Sequence, residues 1–318
     1  MNSGTTNAAS PAILALGEPM IEFNQTRPGE PNYLQGYGGD TSNAIIACAR
    51  QGAPCGYITR LGDDEFGRML ADLWLREGVD ASGVAVDPAA HTAVYFVTHG
   101  PLSHVFSYLR KGSATSRMGP NDIPEALVRG ARYLHVSGIS QAISESACAA
   151  AFHAMRIARD AGVKLAYDTN LRLKLWSLER AREVMIPAIA LSDYLLPSLE
   201  DMQLLSGLTA PDAILDWCFA QGARNVVLKL GKLGCIAATP GERTAIAGRV
   251  VEAVDATGAG DCFDGAFLAR LYFGDDLVSA ARYANCAAAL TTTGFGAVGP
   301  LPRRAAVEAM LAATRSAG

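Results

Sequence analysis

Short apolar runs closed by glycine or proline alternate with helical periodicity along most of the chain. Ile13 to Leu16, ended by Gly17, predicts a first buried strand. Residues 19–38 alternate loosely and are rich in Gly, Pro, Asn and Tyr. They read as exposed strands with turns at Pro28-Gly29 and Pro31-Asn32. From Thr41 the period becomes helical, with Thr41 or Ser42 expected as N-cap and Gly52 as stop. Tyr57 to Arg60 predicts a strand, and Glu65 to Glu77 a helix ended by Gly78.

Residues 91–110 break this rhythm. Two β-rich runs, His91 to Val97 and Ser103 to Arg110, flank a turn near Gly100-Pro101. They predict a hairpin that joins the strands of 19–38 in a second, small sheet. Beyond it the alternation is regular. Strands are expected at Tyr133–Val136, Val163–Asp168, Tyr194–Pro197 and Asn225–Leu230. Helices are expected at Ser144–Ala161, Leu178–Leu191, a short stretch ending at Gly207, and Pro211–Gln221. Apolar strands separated by helices predict a mainly parallel sheet covered on both faces. Near 235–255 three strand-like runs suggest an antiparallel edge, and the chain is helical from Gly258 onward. The expected fold class is therefore α/β, with a core from 11–18, 39–90 and 111–318 and a β lid from 19–38 and 91–110.

Composition narrows the functional classes. Of 318 residues, 50% are hydrophobic and only 18% charged, enough for a sizeable core and too apolar for a disordered chain. The net charge of −4 gives no broad attraction for nucleic acid or anionic membrane. No run of about 18 apolar residues predicts a membrane helix. Residues 1–10 are polar, lack a signal-peptide pattern, and read as a disordered tail. The seven cysteines, none at CxxC spacing, sit among apolar neighbours, which predicts buried thiols in a reducing, cytoplasmic compartment.

The candidate chemistry centres on Asp255-Ala256-Thr257-Gly258-Ala259-Gly260-Asp261, followed by helical Cys262 to Phe267. A strand is expected to end at Asp255. Small residues at 258–260 let backbone N–H groups converge on an anion at a helix start. Asp261 then stands where a carboxylate can take a proton from a hydroxyl beside a transferring phosphoryl group. A tight turn with a capping acid would show the same residues. In the first half of the chain, Gly38 and Gly39 allow close approach of a ligand, and Asp40 and Asn43 offer acceptors and donors for hydroxyls.

Both strings resemble the signatures of the ribokinase, or PfkB, family of carbohydrate kinases, and the likeness runs over 12–312 in order. It implies a ribokinase-like three-layer α/β/α core with a β lid, ATP and Mg2+ as cofactors, and a sugar hydroxyl as acceptor. It further implies Asp261 as base, with Gly258, Ala259 and Gly260 as the anion hole. Tyr108-Leu109-Arg110 and Asp168-Thr169-Asn170-Leu171-Arg172 are similar to strings of 2-keto-3-deoxygluconate kinases. The likeness implies that Arg110 and Arg172 grip a substrate carboxylate, with Tyr95, Tyr108 and Asn170 beside them. For the nucleotide it implies Thr257, Lys229, Gly231, Gly234 and Asn285. The family's Asn-x-x-Glu string is here Ser198 to Asp201, so no direct metal ligand is expected.

The P-loop and protein-kinase motifs are absent, and Gly17-Glu18-Pro19 is no dinucleotide fingerprint. Of the five histidines, His91 and His104 are placed at the lid and His135 in a core strand. The expected reaction is phosphorylation of a sugar acid, 2-keto-3-deoxygluconate foremost. A neutral-sugar kinase (fructokinase or ribokinase) or a non-catalytic sugar sensor are the alternatives. Exposed edges on a lid sheet suggest a homodimer or higher oligomer formed through it.

Overall fold

The computed structural model describes residues 11–100 and 104–315. The polar tail at 1–10 and part of the turn after Gly100 lie outside the described residues. Ile13–Leu16 forms β1, every residue fully buried, as a central strand covered on both faces requires. β2 (Met20–Gln25) and β3 (Tyr33–Gly38) follow, then α1 (Asp40–Arg50). The N-cap of α1 is Gly39 at φ 106 rather than Thr41 or Ser42. Both hydroxyl residues are buried inside the helix: Thr41 meets Tyr57 at 2.9 Å and Ser42 accepts from Trp74 at 3.1 Å. β4 (Cys55–Gly62) leads to α2 (Glu65–Glu77), which Asp64 caps from the start and Gly78, at φ 75, ends. β5 (Asp80–Asp87), a further strand with only Gly83 and Asp87 buried, pairs in parallel with β4.

β6 (Val94–His99) and β7 (His104–Leu109) form the hairpin. With β2 and β3 they make a four-stranded sheet in the order β3-β2-β6-β7. The main chain then returns to the core through α3 (Glu125–Gly130), β8 (Tyr133–Ser137), the one-turn helix α4 (Gly138–Ala142) and α5 (Glu145–Asp160). β9 (Lys164–Asp168), α6 (Leu178–Leu191), β10 (Tyr194–Leu195), α7 (Leu199–Ser206), α8 (Pro211–Ala220) and β11 (Asn225–Lys229) continue the alternation. Ser144, Ser177 and Ser198 cap α5, α6 and α7, each accepting an N–H three residues on.

β12 (Gly234–Thr239) and β13 (Glu242–Ala247) form an antiparallel edge of two strands, not three. Residues 248–258 are irregular, so no strand ends at Asp255. Val250, which made that run look strand-like, stands fully exposed with no neighbouring strand to cover it. α9 (Ala259–Phe273), α10 (Leu277–Thr291) and α11 (Arg304–Arg315) complete the chain.

The main sheet has nine strands in the order β13-β12-β11-β10-β9-β8-β1-β4-β5, parallel from β11 to β5. Alternation along each strand divides its two faces. Ile13 and Ala15 join α1, α2, α9 and α10 in one core; Leu14 and Leu16 join α5 to α8 in the other. This is a three-layer α/β/α sandwich with a small second sheet. All seven cysteines are buried and free. Among the described residues no helix is long and apolar enough to cross a membrane.

Candidate active site

The site lies at the carboxyl ends of the parallel strands, where crevices form in such sheets. Its floor is the start of α9. Asp255 braces the turn: Oδ1 accepts from the N–H and hydroxyl of Thr257 at 2.9 and 2.7 Å, and Oδ2 from the Gly296 N–H at 2.9 Å. Gly258 has φ 75, and a Cβ there would stand 2.9 Å from the Ala297 carbonyl oxygen. Only glycine fits that position. The Ala259 N–H turns back onto the Ala256 carbonyl at 3.2 Å, which takes it out of the expected anion hole. Among the described residues, Gly258 and Gly260 N–H have no acceptor. Gly260 has open space in front of it, the nearest atom being Lys229 Nζ at 3.8 Å from a Cβ position.

Asp261, the third residue of α9, is half-buried and faces α1. Asn43 Nδ2 donates to its Oδ2 at 2.8 Å. The crossing is close because Gly265 presents no side chain to the Ala44 carbonyl. Burial pushes the Asp261 carboxyl up to about 7, helped by the charges of Asp40 and Asp168 and opposed by Asn43 and Lys229.

Asp40 is buried beside it. Ser137 Oγ and, at 3.3 Å, Asn170 Nδ2 donate to its Oδ2, while Oδ1 has no partner. Asn43 Oδ1 is likewise buried without a partner. Two unsatisfied acceptors beside a carboxylate of raised pKa suit a ligand carrying several hydroxyl donors. Asn170 has φ 37, the only non-glycine positive φ among the described residues. It is held there by the loop after β9, where Thr169 Oγ1 and Leu171 N–H donate to Asp201 Oδ2 at 2.8 and 3.0 Å.

The lid closes one side. Tyr95 stacks on Tyr108 with ring centroids 5.8 Å apart, donates to the buried Glu22, and abuts Gly38. The two expected carboxylate-binding arginines differ. Arg110 is held by the buried Glu18, with Nε at 2.8 Å, and Ser113 satisfies the other Glu18 oxygen at 2.7 Å. Arg172 is exposed, bonds the Leu171 carbonyl at 2.9 Å, and makes no ion pair among the described residues. Its charge reaches Asp40, Asp201 and Tyr108, holding each of their pKa values lower than burial alone would.

On the nucleotide side, Lys229 lies between Asp264 (3.0 Å) and Asp168 (3.3 Å). Gly231 (φ 58) and Gly234 (φ 104) shape the turn after β11, and Gly234 has no room for a side chain against β13. Asn285 Nδ2 donates to the Ala247 carbonyl at 2.8 Å. Ser198 Oγ accepts the Asp201 N–H at 3.1 Å as a helix cap. His91 hydrogen-bonds backbone at the hairpin base, and His135 is a core histidine, pushed down to about 4 by burial. Among the described residues no cluster of three metal-ligating side chains exists.

Sequence reasoning missed Glu18, Ser137, Asp264 and Glu22. For Glu18 a signal was available: an acid directly after a central parallel strand falls where ligands bind.

Residues 10–304 match the pfkB family carbohydrate kinase. A 2-dehydro-3-deoxygluconokinase of Thermoproteus tenax is 35% identical over 311 residues, covering 95% of this chain and 94% of the relative. Fructokinase-1 of Zea mays is 34% identical over 310 residues, covering 93% of this chain and 96% of the relative. An E. coli protein described as a ribokinase II, in complex with ATP and Mg2+, superposes with a TM-score of 0.88 at 27% identity, covering 95% and 99%. The family match spans both glycine strings and the Asn43–Asp261 contact between them. The protein therefore belongs to the pfkB family of carbohydrate kinases, sugar kinases with ATP and Mg2+ as cofactors.

Proposed function

We propose that the enzyme transfers the γ-phosphoryl group of ATP to a primary hydroxyl of a sugar acid, 2-keto-3-deoxygluconate foremost, giving its 6-phosphate. Asp261 accepts the hydroxyl proton as the oxygen attacks phosphorus, and the bond to the bridging oxygen of ADP breaks. The amides of Gly258 and Gly260 face the transferring oxygens at the positive end of α9. Gly38, Gly39, Asp40, Asn43 and Asn170 receive the sugar hydroxyls, with Tyr95 and Tyr108 as the lid wall. Thr257, Lys229, Gly231, Gly234, Ser198 and Asn285 line the path of the nucleotide.

Mg2+, when bound, neutralises phosphate charge. Asp201, whose Oδ2 already accepts from Thr169 and Leu171, would help hold such an ion through a bound water. The lid screens the acceptor from competing water.

The observation that carries the sugar-acid reading is Arg172, an exposed guanidinium that makes no ion pair among the described residues and whose charge reaches Asp40 and Tyr108. A neutral sugar has no use for it. Arg110, already paired with Glu18, favours a second reading, a neutral-sugar kinase such as the plant fructokinase relative. Comparing kcat/KM for 2-keto-3-deoxygluconate and fructose separates the two. A dimer through the edges of the lid sheet, β3 and β7, would cover exposed Leu34, Val105 and Leu109. Seven buried free thiols favour a reducing compartment.

A further inference from the structure

In one cluster under the site only Lys229 has been given a role so far, and its two carboxylate neighbours have none. Lys229 Nζ contacts Asp264 Oδ1 at 3.0 Å and Oδ2 at 3.3 Å, and Asp168 Oδ1 at 3.3 Å. The Asp264 side chain is 1% exposed, that of Asp168 7% and that of Lys229 13%. Three secondary structures meet there: Asp168 ends β9, Lys229 ends β11, and Asp264 lies one turn beyond Asp261 on α9. An ammonium has three N–H donors. Both oxygens of Asp264 accept from it and Asp168 Oδ1 stands at 3.3 Å, while a Cβ position at Gly260, in the turn that starts α9, lies 3.8 Å from the same nitrogen.

We propose that Asp264 is a positioning residue: with Asp168 it fixes the Lys229 ammonium against Gly260, as the cation that faces the transferring phosphoryl group. The proposal rests on the reading of Asp261 as the base. A buried ion pair is weak evidence of stabilisation, because desolvation offsets its attraction. Its placement beside a turn where the Gly258 and Gly260 N–H groups have no acceptor among the described residues points to function. A lysine tethered by a single carboxylate has a flexible four-carbon stem; the second tether removes that freedom before the nucleotide arrives.

The groups that act on Asp261 are Asp40 and Asn43 from α1, Asp168 from β9 and Lys229 from β11. Asp261 in turn raises the pKa values of the Tyr57 and Tyr95 phenols, and His135 on β8, pushed down to about 4 by burial, feels the charges of Asp168 and Lys229 as a neutral ring. Lys229 is the cation among them that lowers the Asp261 pKa. Displacing its ammonium therefore raises that pKa.

The test compares Asp264→Asn, Lys229→Met and the double variant, in ADP release with ATP and the best wild-type sugar. In Asp264→Asn we expect kcat to fall about 10- to 100-fold, the scale of a misplaced charge-assisted contact. The KM for sugar should hold, and the acid limb of the kcat–pH profile should move to higher pH. In the double variant the loss should equal that of Lys229→Met alone, because Asp264 acts through Lys229. Losses that multiply, a limb that moves to lower pH, or wild-type kcat in Asp264→Asn overturns the proposal. If Asp264→Asn fails to fold, the double variant, which removes both charges together, decides: wild-type kcat there overturns it. Asp261→Asn run in parallel separates the two ideas. Activity in that variant sinks the base, whereas a dead Asp261→Asn beside a wild-type Asp264→Asn sinks only the positioning role.

Discussion

Asn43 and Asp261, 218 positions apart, share a 2.8 Å hydrogen bond that joins the two glycine strings into one site. The bond exists because α1 and α9 cross at Gly265, where any side chain would collide with the Ala44 carbonyl. Gly265→Val should therefore separate the helices, destabilise the fold by about 1–3 kcal/mol or prevent folding, and lower kcat beyond what its stability loss explains. Chemical denaturation with kinetics on the folded fraction checks both. Unchanged stability would mean that the crossing tolerates a branched side chain.

Asp261→Asn should lower kcat by at least ~100-fold, the scale of losing a positioned general base. Sugar and ATP binding should change much less, since Asn keeps the shape and the Asn43 neighbour. Near-wild-type turnover would remove Asp261 from the chemistry.

The same carboxyl sets two pH dependences of opposite sense. With a pKa pushed up to about 7, Asp261 is protonated at lower pH and accepts no proton, so kcat should fall as pH drops through 7. Stability runs the other way. The folded pKa lies above the ordinary 3.8, so the folded state holds an extra proton between those values. The stability this confers is present at low pH and lost as pH rises through about 7. Asp261→Asn removes that loss and should raise stability at pH 8 by about 1–2 kcal/mol, discounted for partial exposure. Equal melting temperatures for the two proteins at pH 8 would contradict the shift.

Gly260→Val should abolish catalysis and weaken ATP binding while the parent fold persists. A Cβ at Gly260 meets no backbone, only Lys229 Nζ at 3.8 Å, so the added methyls enter the open space proposed for phosphate. Calorimetry with ATP and a melting curve separate a blocked site from an unfolded protein. Gly258→Val is the contrast: φ 75 and the Ala297 carbonyl make that change structural.

Much of the frame was legible because apolar strand runs and helical periods carry their own glycine stops, as at strand Ile13–Leu16 before Gly17 and helix Glu65–Glu77 before Gly78. β5 was not, since Asp80–Asp87 is an edge strand that opens on Asp, Ala, Ser and Gly and leaves Val86 exposed. The Thr41 cap was misjudged because a buried helix start looks locally like a polar one; Tyr57 and Trp74, distant in sequence, claim its hydroxyls. Within the site, glycine strings were legible as strings. The partners that set their electrostatics were not: Glu18 on Arg110 and Asp264 on Lys229 are tertiary pairings across 92 and 35 positions.

The arginines give the sharpest variant test of substrate class. Arg172→Ala should cost about 10- to 150-fold in kcat/KM for a sugar acid and spare neutral sugars, as expected for one lost charge-assisted contact. Arg172→Lys should rescue poorly, because an ammonium lacks the planar fork. Arg110→Ala leaves Glu18 buried and unpaired, so it should also lower the melting temperature. An Arg172→Ala loss of equal size on fructose would assign Arg172 to the fold or to the nucleotide.

The central claim, ATP-dependent phosphorylation with preference for a sugar acid, is tested most directly by kcat/KM in a coupled ADP-release assay. The wild-type enzyme is given 2-keto-3-deoxygluconate, fructose and ribose in turn, with ATP and Mg2+. The account predicts sugar-dependent ADP release with the highest efficiency on 2-keto-3-deoxygluconate. Higher efficiency on fructose or ribose contradicts the sugar-acid assignment and leaves the kinase standing.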